Sequence, residues 1–323
     1  MPITIAESLK PAKNPSHPNH TTPAMRPAHL LAPLLGASSM AQEQSTGHVL
    51  TGDGVKISYA QSGPPDGRQI LFIPGWHQAA AEWRKQVEHF SGAGFRVTTY
   101  DMRGHGESEK PDSGYRISRF AADLNDLLGE LELTDVTIVG HSMGCSIAWA
   151  WWDQYPAAHD TVGSLVMADQ SAVMVRNPSW TDEEAAGLAA NFAPGEIYDI
   201  TNDMAAQTPA LLKSMFTDSV PEADYEWIVE QNAKMSDDNA AALLLDHAFR
   251  DWRDVLPRIT VPSLVLAGNA SIFPHAGVEW AAEQIPGAEQ YTFSTEEKGS
   301  HFAFWENPER FNAVVEEFLG KQV

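Results

Sequence analysis

Val136-Thr137-Ile138-Val139-Gly140-His141-Ser142-Met143-Gly144-Cys145 is the stretch that decides the fold. A short, mostly apolar run leads straight into a Gly-x-Ser-x-Gly pattern, and an Ala- and Trp-rich helical stretch, Cys145–Tyr155, follows. That order predicts a strand turning sharply into a helix, with the serine hydroxyl lifted above the sheet edge. Gly140 and Gly144 suit the turn because strand and helix backbones pass close together there and a Cβ would clash. The amino end of the helix offers unpaired N–H groups to a developing oxyanion. Ser142 is therefore the candidate nucleophile.

Outward from this turn the same rhythm repeats. Apolar runs recur at Ile70–Ile73, Phe95–Tyr100, Val162–Ala168, Ser263–Ala267 and Glu289–Phe293. Helix-length amphipathic stretches such as Ala79–Phe90, Ile117–Leu131 and Pro308–Leu319 lie between them. Continuous apolar strands alternating with helices imply an α/β fold, a mostly parallel doubly wound sheet covered on both faces. Val55–Ala60 alternates in polarity after Gly52-Asp53-Gly54, which predicts a hairpin. Residues 172–256 break the rhythm, with helical periodicity, no convincing strand, and 16 acidic residues against 5 basic. A helical insertion after the sixth strand is expected to form a lid over the carboxyl edge, where open sheets bind ligands. So negative a lid disfavours anionic substrates. The expected organisation is a tail at 1–46, a core at 47–171 and 257–323, and a lid at 172–256.

Composition narrows the function. Of 323 residues, 43% are hydrophobic and 20% charged, a globular profile. Lys and Arg number 21 against 43 Asp and Glu, a formal charge of −22. Nucleic-acid binding needs a cationic footprint, so that class is excluded, and anionic membranes repel the chain as well. Cys145 is the single cysteine, which rules out an intrachain disulfide and a cysteine-built metal site. No apolar run approaches the roughly 20 residues that span a bilayer. The tail holds seven prolines and too few apolar residues to offset its ordering entropy, and it is expected to be disordered. Within it, residues 25–41 resemble a short signal sequence interrupted by Pro33. A cytoplasmic protein is the expectation, with secretion or organelle targeting through residues 25–41 as the alternative.

Three further motifs fall in a familiar order. They are Phe72-Ile73-Pro74-Gly75-Trp76 after the third strand, Asp101-Met102-Arg103-Gly104-His105-Gly106-Glu107-Ser108 after the next, and Gly299-Ser300-His301-Phe302 followed by Glu306-Asn307-Pro308. With the serine turn, they resemble the α/β-hydrolase superfamily over nearly everything after residue 48, and within it the esterase, lactonase and non-heme chloroperoxidase-like group. The second motif is similar to the family's D-x-R-G-x-G-x-S turn, and the third to its catalytic-histidine loop.

A serine needs a base, because a free hydroxyl is a poor nucleophile at neutral pH. His301 stands in a loop after the final strand and is the expected base; His105 matches the turn motif, and nothing marks His247 or His275 as a base. The acid departs from the commoner family pattern. Many members carry Asp three residues after the glycine closing the seventh strand, whereas here Gly268 is followed by Asn269-Ala270-Ser271. A serine cannot stabilise an imidazolium as a carboxylate does. The other position used in the superfamily is the end of the sixth strand, occupied by Asp169; the competing reading is a helix-capping or lid-anchoring aspartate. The resemblance assigns the oxyanion hole to the backbone N–H groups of Trp76 and Met143. His77, Trp180, Phe216 and Trp227 are expected to contact substrate, while Phe192, Met215 and Phe249 are further apolar lid residues.

No cofactor or metal is implied, since no dinucleotide, phosphate-loop or zinc-helix motif occurs. The expectation is a serine hydrolase cleaving an ester or lactone of a small, uncharged or apolar substrate through an acyl-enzyme. The alternatives are a cofactor-independent dioxygenase, which shares the Gly-Trp loop and a His–Asp pair with Asp after the sixth strand, and a non-catalytic small-ligand receptor. Oligomeric state stays open.

Overall fold

A computed structural model describes residues 44–322. Its sheet has eight strands: β1 Ser45–Leu50, β2 Lys56–Ser62, β3 Gln69–Ile73, β4 Arg96–Tyr100, β5 Val136–His141, β6 Val162–Ala168, β7 Ser263–Gly268 and β8 Glu289–Phe293. They lie in the order β1-β2-β4-β3-β5-β6-β7-β8. β1 and β2 form the predicted hairpin, antiparallel with Val49 opposite Ile57, and β2 is also antiparallel to β4. Every other pairing is parallel. β1 begins at Ser45, inside the stretch read as tail, because the hairpin register extends back to Ser45 opposite Gln61. The remainder of the 1–46 tail, including the signal-like residues 25–41, lies outside the described residues apart from Gln44.

Strand alternation divides the core in two. Leu71, Ile73, Ile138 and Leu165 face Leu124, Trp149 and Trp152, on helices α2 Ile117–Glu130 and α3 Met143–Gln154. Ile70, Phe72, Val139 and Val166 face Phe90, Phe311 and Phe318 on the other side. Those aromatics belong to α1 Arg84–Gly92 and α11 Pro308–Gly320. β5 is buried along its full length, which is why its sequence is apolar on both faces. Each such Leu, Ile or Phe contributes roughly 1.5–3 kcal/mol by leaving water. The α3 indoles are buried and still donate: Trp149 Nε1 to Met167 Sδ at 2.9 Å and Trp152 Nε1 to the Arg258 carbonyl at 3.0 Å.

Between β6 and β7 the chain forms α4 Asp182–Gly187, α5 Pro194–Asn202, α6 Met204–Ser214, α7 Glu222–Asn232 and α8 Asp237–Ala248. The acidity of this insertion has a local cause. Asp182, Glu183, Glu184, Glu196, Glu222, Asp224, Asp237 and Asp238 all stand in first turns, where helix N-termini favour negative charge. After β7 come α9 His275–Gln284 and, beyond β8, the short α10 Ala303–Glu306. Among the described residues, no helix is long and apolar enough to cross a membrane.

Candidate active site

The turn between β5 and α3 is as tight as its sequence requires. Ser142 sits at φ 52°, ψ −123°, a backbone region few side chains occupy. A Cβ at Gly144 would collide with the Ile73 carbonyl oxygen, and one at Gly140 would stand 2.7 Å from the Gly144 carbonyl carbon. Only glycine lets α3 come this close to β3 and β5. The turn is pinned by the Ser142 N–H donating to the Ala168 carbonyl at 2.8 Å, which ties it to the end of β6. Met143 opens α3, so its N–H has no intrahelical acceptor.

Asp169 directly follows β6, at φ 53°, with its N–H donating to Leu266 of β7 at 2.8 Å. Its carboxylate Oδ2 lies 2.5 Å from His301 Nδ1, and both side chains are almost fully buried. The same oxygen accepts a hydrogen bond from the Ser271 hydroxyl. Ser271, which stands where the family pattern leads one to expect an acid, thus touches the candidate acid Asp169. Its Oγ in turn accepts from the Phe273 N–H at 3.1 Å. The Nδ1 contact leaves the opposite ring nitrogen of His301 as the one able to serve Ser142.

A buried polar chain supports the loop after β3. The Gly75 N–H donates to Gln78 Oε1, and Gln78 Nε2 donates to Glu82 Oε2 at 3.0 Å. Glu82 Oε1 accepts from the Ala79 N–H at 3.0 Å and, with the Asn232 amide turned to suit its neighbours, from Asn232 at 3.0 Å. Burial pushes the Glu82 carboxyl up to about 8, against the smaller effects of the Ala79 N–H and the Gln78 amide. His141 joins this loop to the histidine loop, with Nδ1 2.8 Å from Gln78 Oε1 and Nε2 2.7 Å from the His301 carbonyl. Burial, with the neighbouring His301, pushes the pKa of its ring well below the usual imidazole range. Asp101 contributes as well, accepting from the Ala80 N–H at 2.7 Å. Trp76 Nε1 donates to the Ala240 carbonyl of α8 at 2.8 Å.

Ser142 and His301 open onto two adjoining lobes, both also lined by Trp76 and Met215. One has His77, Gln78, Thr208 and Asn232 in its lining. The other is lined mainly by apolar side chains such as Met174, Phe192, Ile197, Leu244, Ile272 and Phe273, with His247 among them. Such a mainly apolar cleft with few polar groups suits a small molecule.

Of the expected substrate contacts, His77 lines a lobe and three others do not. Phe216 stacks on Phe302 at 4.2 Å, and Trp227 stacks on Trp305 at 5.2 Å under the Arg84 guanidinium. Trp180 lies beneath Arg253, 5.1 Å from its ring centre. These aromatics find packing partners elsewhere, and the lobes are lined instead by Met215, Phe192, Thr208, Met174 and His247. Of these, Thr208 and Met174 carry no signal in the sequence that marks them as lining residues. Burial holds His105 and His247 down to about 3, so both are neutral; His105 contacts the Arg103 carbonyl at 3.0 Å and packs on Phe120. His275 sits at the start of α9, 3.2 Å from Glu279. Among the described residues, no group of three or more His, Cys, Asp or Glu is placed to hold a metal ion.

The model of the alpha/beta hydrolase fold family matches residues 69–308, a span running from β3 to the start of α11. The chain belongs to that family. This α/β hydrolase is 31% identical to a non-heme chloroperoxidase of Streptomyces lividans, over 71% of the chain and 84% of the relative. It is 29% identical to a bifunctional esterase/perhydrolase of Acinetobacter calcoaceticus, over 69% and 81%. In shape it is similar to an esterase from Exiguobacterium antarcticum, with a TM-score of 0.76 at 24% identity over 84% of this chain and 98% of that one.

Proposed function

We propose that this α/β hydrolase cleaves a carboxylic ester or lactone of a small, uncharged or apolar substrate through Ser142, His301 and Asp169. The observation carrying the reading is the 2.5 Å contact between His301 Nδ1 and Asp169 Oδ2, with His301 and Ser142 lining the same cavity. Asp169 fixes the tautomer that leaves Nε2 as the base and stabilises the imidazolium that follows. His301 takes the Ser142 proton as Oγ attacks the carbonyl carbon, then gives it to the departing alkoxide, leaving an acyl-enzyme. Water activated by the same imidazole cleaves that ester. The Trp76 and Met143 N–H groups receive the oxyanion, and losing one such donor costs about 10²–10³ in rate. The 172–256 insertion acts as the lid, excluding water and shaping the lobes. The names of the relatives support acyl transfer chemistry of this kind.

Replacing Ser142 by Ala tests the reading on a panel of fluorogenic esters, alongside labelling with a fluorophosphonate. The expected result is a fall of about 10⁴-fold or more in kcat, no labelling, and unchanged circular dichroism. Undiminished ester turnover in Ser142→Ala would overturn it. The Gly75-Trp76 loop and the Asp169–His301 pair also fit a cofactor-independent dioxygenase, in which His301 deprotonates a heteroaromatic substrate that then reacts with oxygen. Oxygen uptake without ester cleavage would favour that second reading.

A further inference from the structure

His77 is an unusual residue to find between the two halves of a catalytic rim. It occupies φ 67° and is only 6% exposed. Neither of its ring nitrogens reaches hydrogen-bond geometry with a partner among the described residues, although the Met235 carbonyl lies on one side. Burial holds the ring below the ordinary imidazole range, outweighing the opposing pull of that carbonyl and of Asp237. A second atom shares the predicament in the same lobe: Thr208 Oγ1 is buried without a hydrogen-bond partner. Leaving such groups unpaired costs about 1–3 kcal/mol each. A left-handed backbone at a non-glycine residue adds strain of a further 1–3 kcal/mol or so. Costs of this kind persist when a bound molecule completes the hydrogen bonds. The adjoining lobe is mainly apolar, with Met174, Phe192, Ile197 and Ile272; its one unpartnered polar atom is His247 Nδ1, against three in the lobe of His77 and Thr208.

We propose that the lobe around His77 and Thr208 binds an uncharged hydrogen-bonding group, a hydroxyl, carbonyl or amide, on one arm of the substrate, while the second lobe takes an aliphatic or aromatic arm. This rests on the hydrolase reading only in naming the molecule an ester. His77, Gln78, Thr208 and Asn232 carry no formal charge, so an ionised arm finds no counter-ion there. A neutral imidazole offers one donor and one acceptor, and a threonine hydroxyl offers both, so the pair accepts a hydroxyl or an amide in either orientation. A site built this way discriminates strongly against the analogue lacking the polar group, because its own buried atoms are then left unpaired.

The test uses full-length Ser142→Ala protein, in which the hydrolase reading expects no turnover, and it reads binding rather than catalysis; ester cleavage seen during the titration would count against that reading and not against the polar lobe. Calorimetric titration compares 2-hydroxyethyl hexanoate with its isostere propyl hexanoate, and ethyl 3-hydroxyhexanoate with ethyl 3-methylhexanoate. At least one hydroxylated ester should bind about tenfold more tightly than its partner. In a His77→Leu background the preference should shrink to within about twofold, and in His77→Asn, which tolerates the same backbone and keeps both hydrogen-bonding roles, it should survive. Thr208→Val gives an independent reading if His77→Leu fails to fold. Equal or better binding of the methyl member in both pairs overturns the proposal. So does a preference untouched by His77→Leu and Thr208→Val together, or no binding by any of the four. Normal ester turnover by the wild type alongside such a failure would leave the hydrolase reading standing and reject only the polar lobe.

Discussion

β6 and β7 run side by side in the sheet and end in different chemistry. β6 runs into Asp169, whose carboxylate meets His301; the loop after β7 presents Ser271, whose hydroxyl donates to that same carboxylate. The two ends are coupled through the backbone as well, by the Asp169 N–H and the Leu266 carbonyl. The comparison teaches that which carboxylate meets His301 is decided by what its oxygens can reach, not by the strand that carries it. The neighbouring strand end, which has no carboxylate, contributes a hydroxyl that holds Asp169.

The largest break in this comparison comes from Asp169→Asn, which keeps the shape and removes the charge. It should lower kcat by about 10³–10⁴, read from ester turnover at saturating substrate. A loss under tenfold would return Asp169 to the role of a structural cap. Glu82 gives a contrast, being a buried carboxyl set against amides rather than an imidazole. Its folded-state value of about 8 lies above the ordinary carboxyl value of 4.5, so the folded protein holds a proton that the unfolded chain releases. Stability therefore falls as pH rises from about 4.5 to about 8, by something on the order of 4 kcal/mol from this group. Urea unfolding of wild type and Glu82→Gln at pH 5 and pH 8 should show that the variant lacks this part of the slope. Parallel slopes would mean the carboxyl is charged in the folded state.

Exchanging the chemistry of the two strand ends sharpens the comparison further. Asp169→Ser combined with Ser271→Asp should recover about 10- to 100-fold of the activity lost in Asp169→Ser alone, measured as kcat. No recovery would show that only the β6 end has the geometry. The smallest effect belongs to Ser271→Ala. Losing one hydrogen bond to a carboxylate that keeps its imidazole should cost about 1–2 kcal/mol, or roughly five- to thirtyfold in kcat/KM. An unchanged value would make Ser271 a bystander.

Most of this architecture could be read from the chain because it depends on local patterns. Val136–Val139 is apolar at every position but Thr137, and the glycines at 140 and 144 allow one kind of turn, so β5, the turn and α3 follow almost directly. Elimination points to Asp169, because Ser271 stands where the family pattern has an acid, and the contact of its carboxylate with His301 is what the structure adds. The lobe linings were not legible in the same way. Phe216 and Trp227 lie on or beside short helices whose rotation is set by distant partners, Phe302 and Trp305, roughly 80 residues away in sequence. Residue type alone could not tell that packing from a substrate wall. The Gln78, Glu82 and Asn232 chain was missed for a related reason: polar residues are read as exposed, and only the approach of α7 buries them. Their one local signal was the i, i+4 spacing of Gln78 and Glu82 just after Pro74-Gly75-Trp76.

The Trp76 indole hangs from the loop after β3 and is tethered at its far end to the Ala240 carbonyl, in the first turn of α8. A rigid ring held at both ends behaves as a lever arm. Any excursion of α8 wide enough to admit a bulky molecule would tilt that lever and drag the residue-76 amide with it. Entry and readiness for reaction would then be mutually exclusive postures of one mechanical linkage.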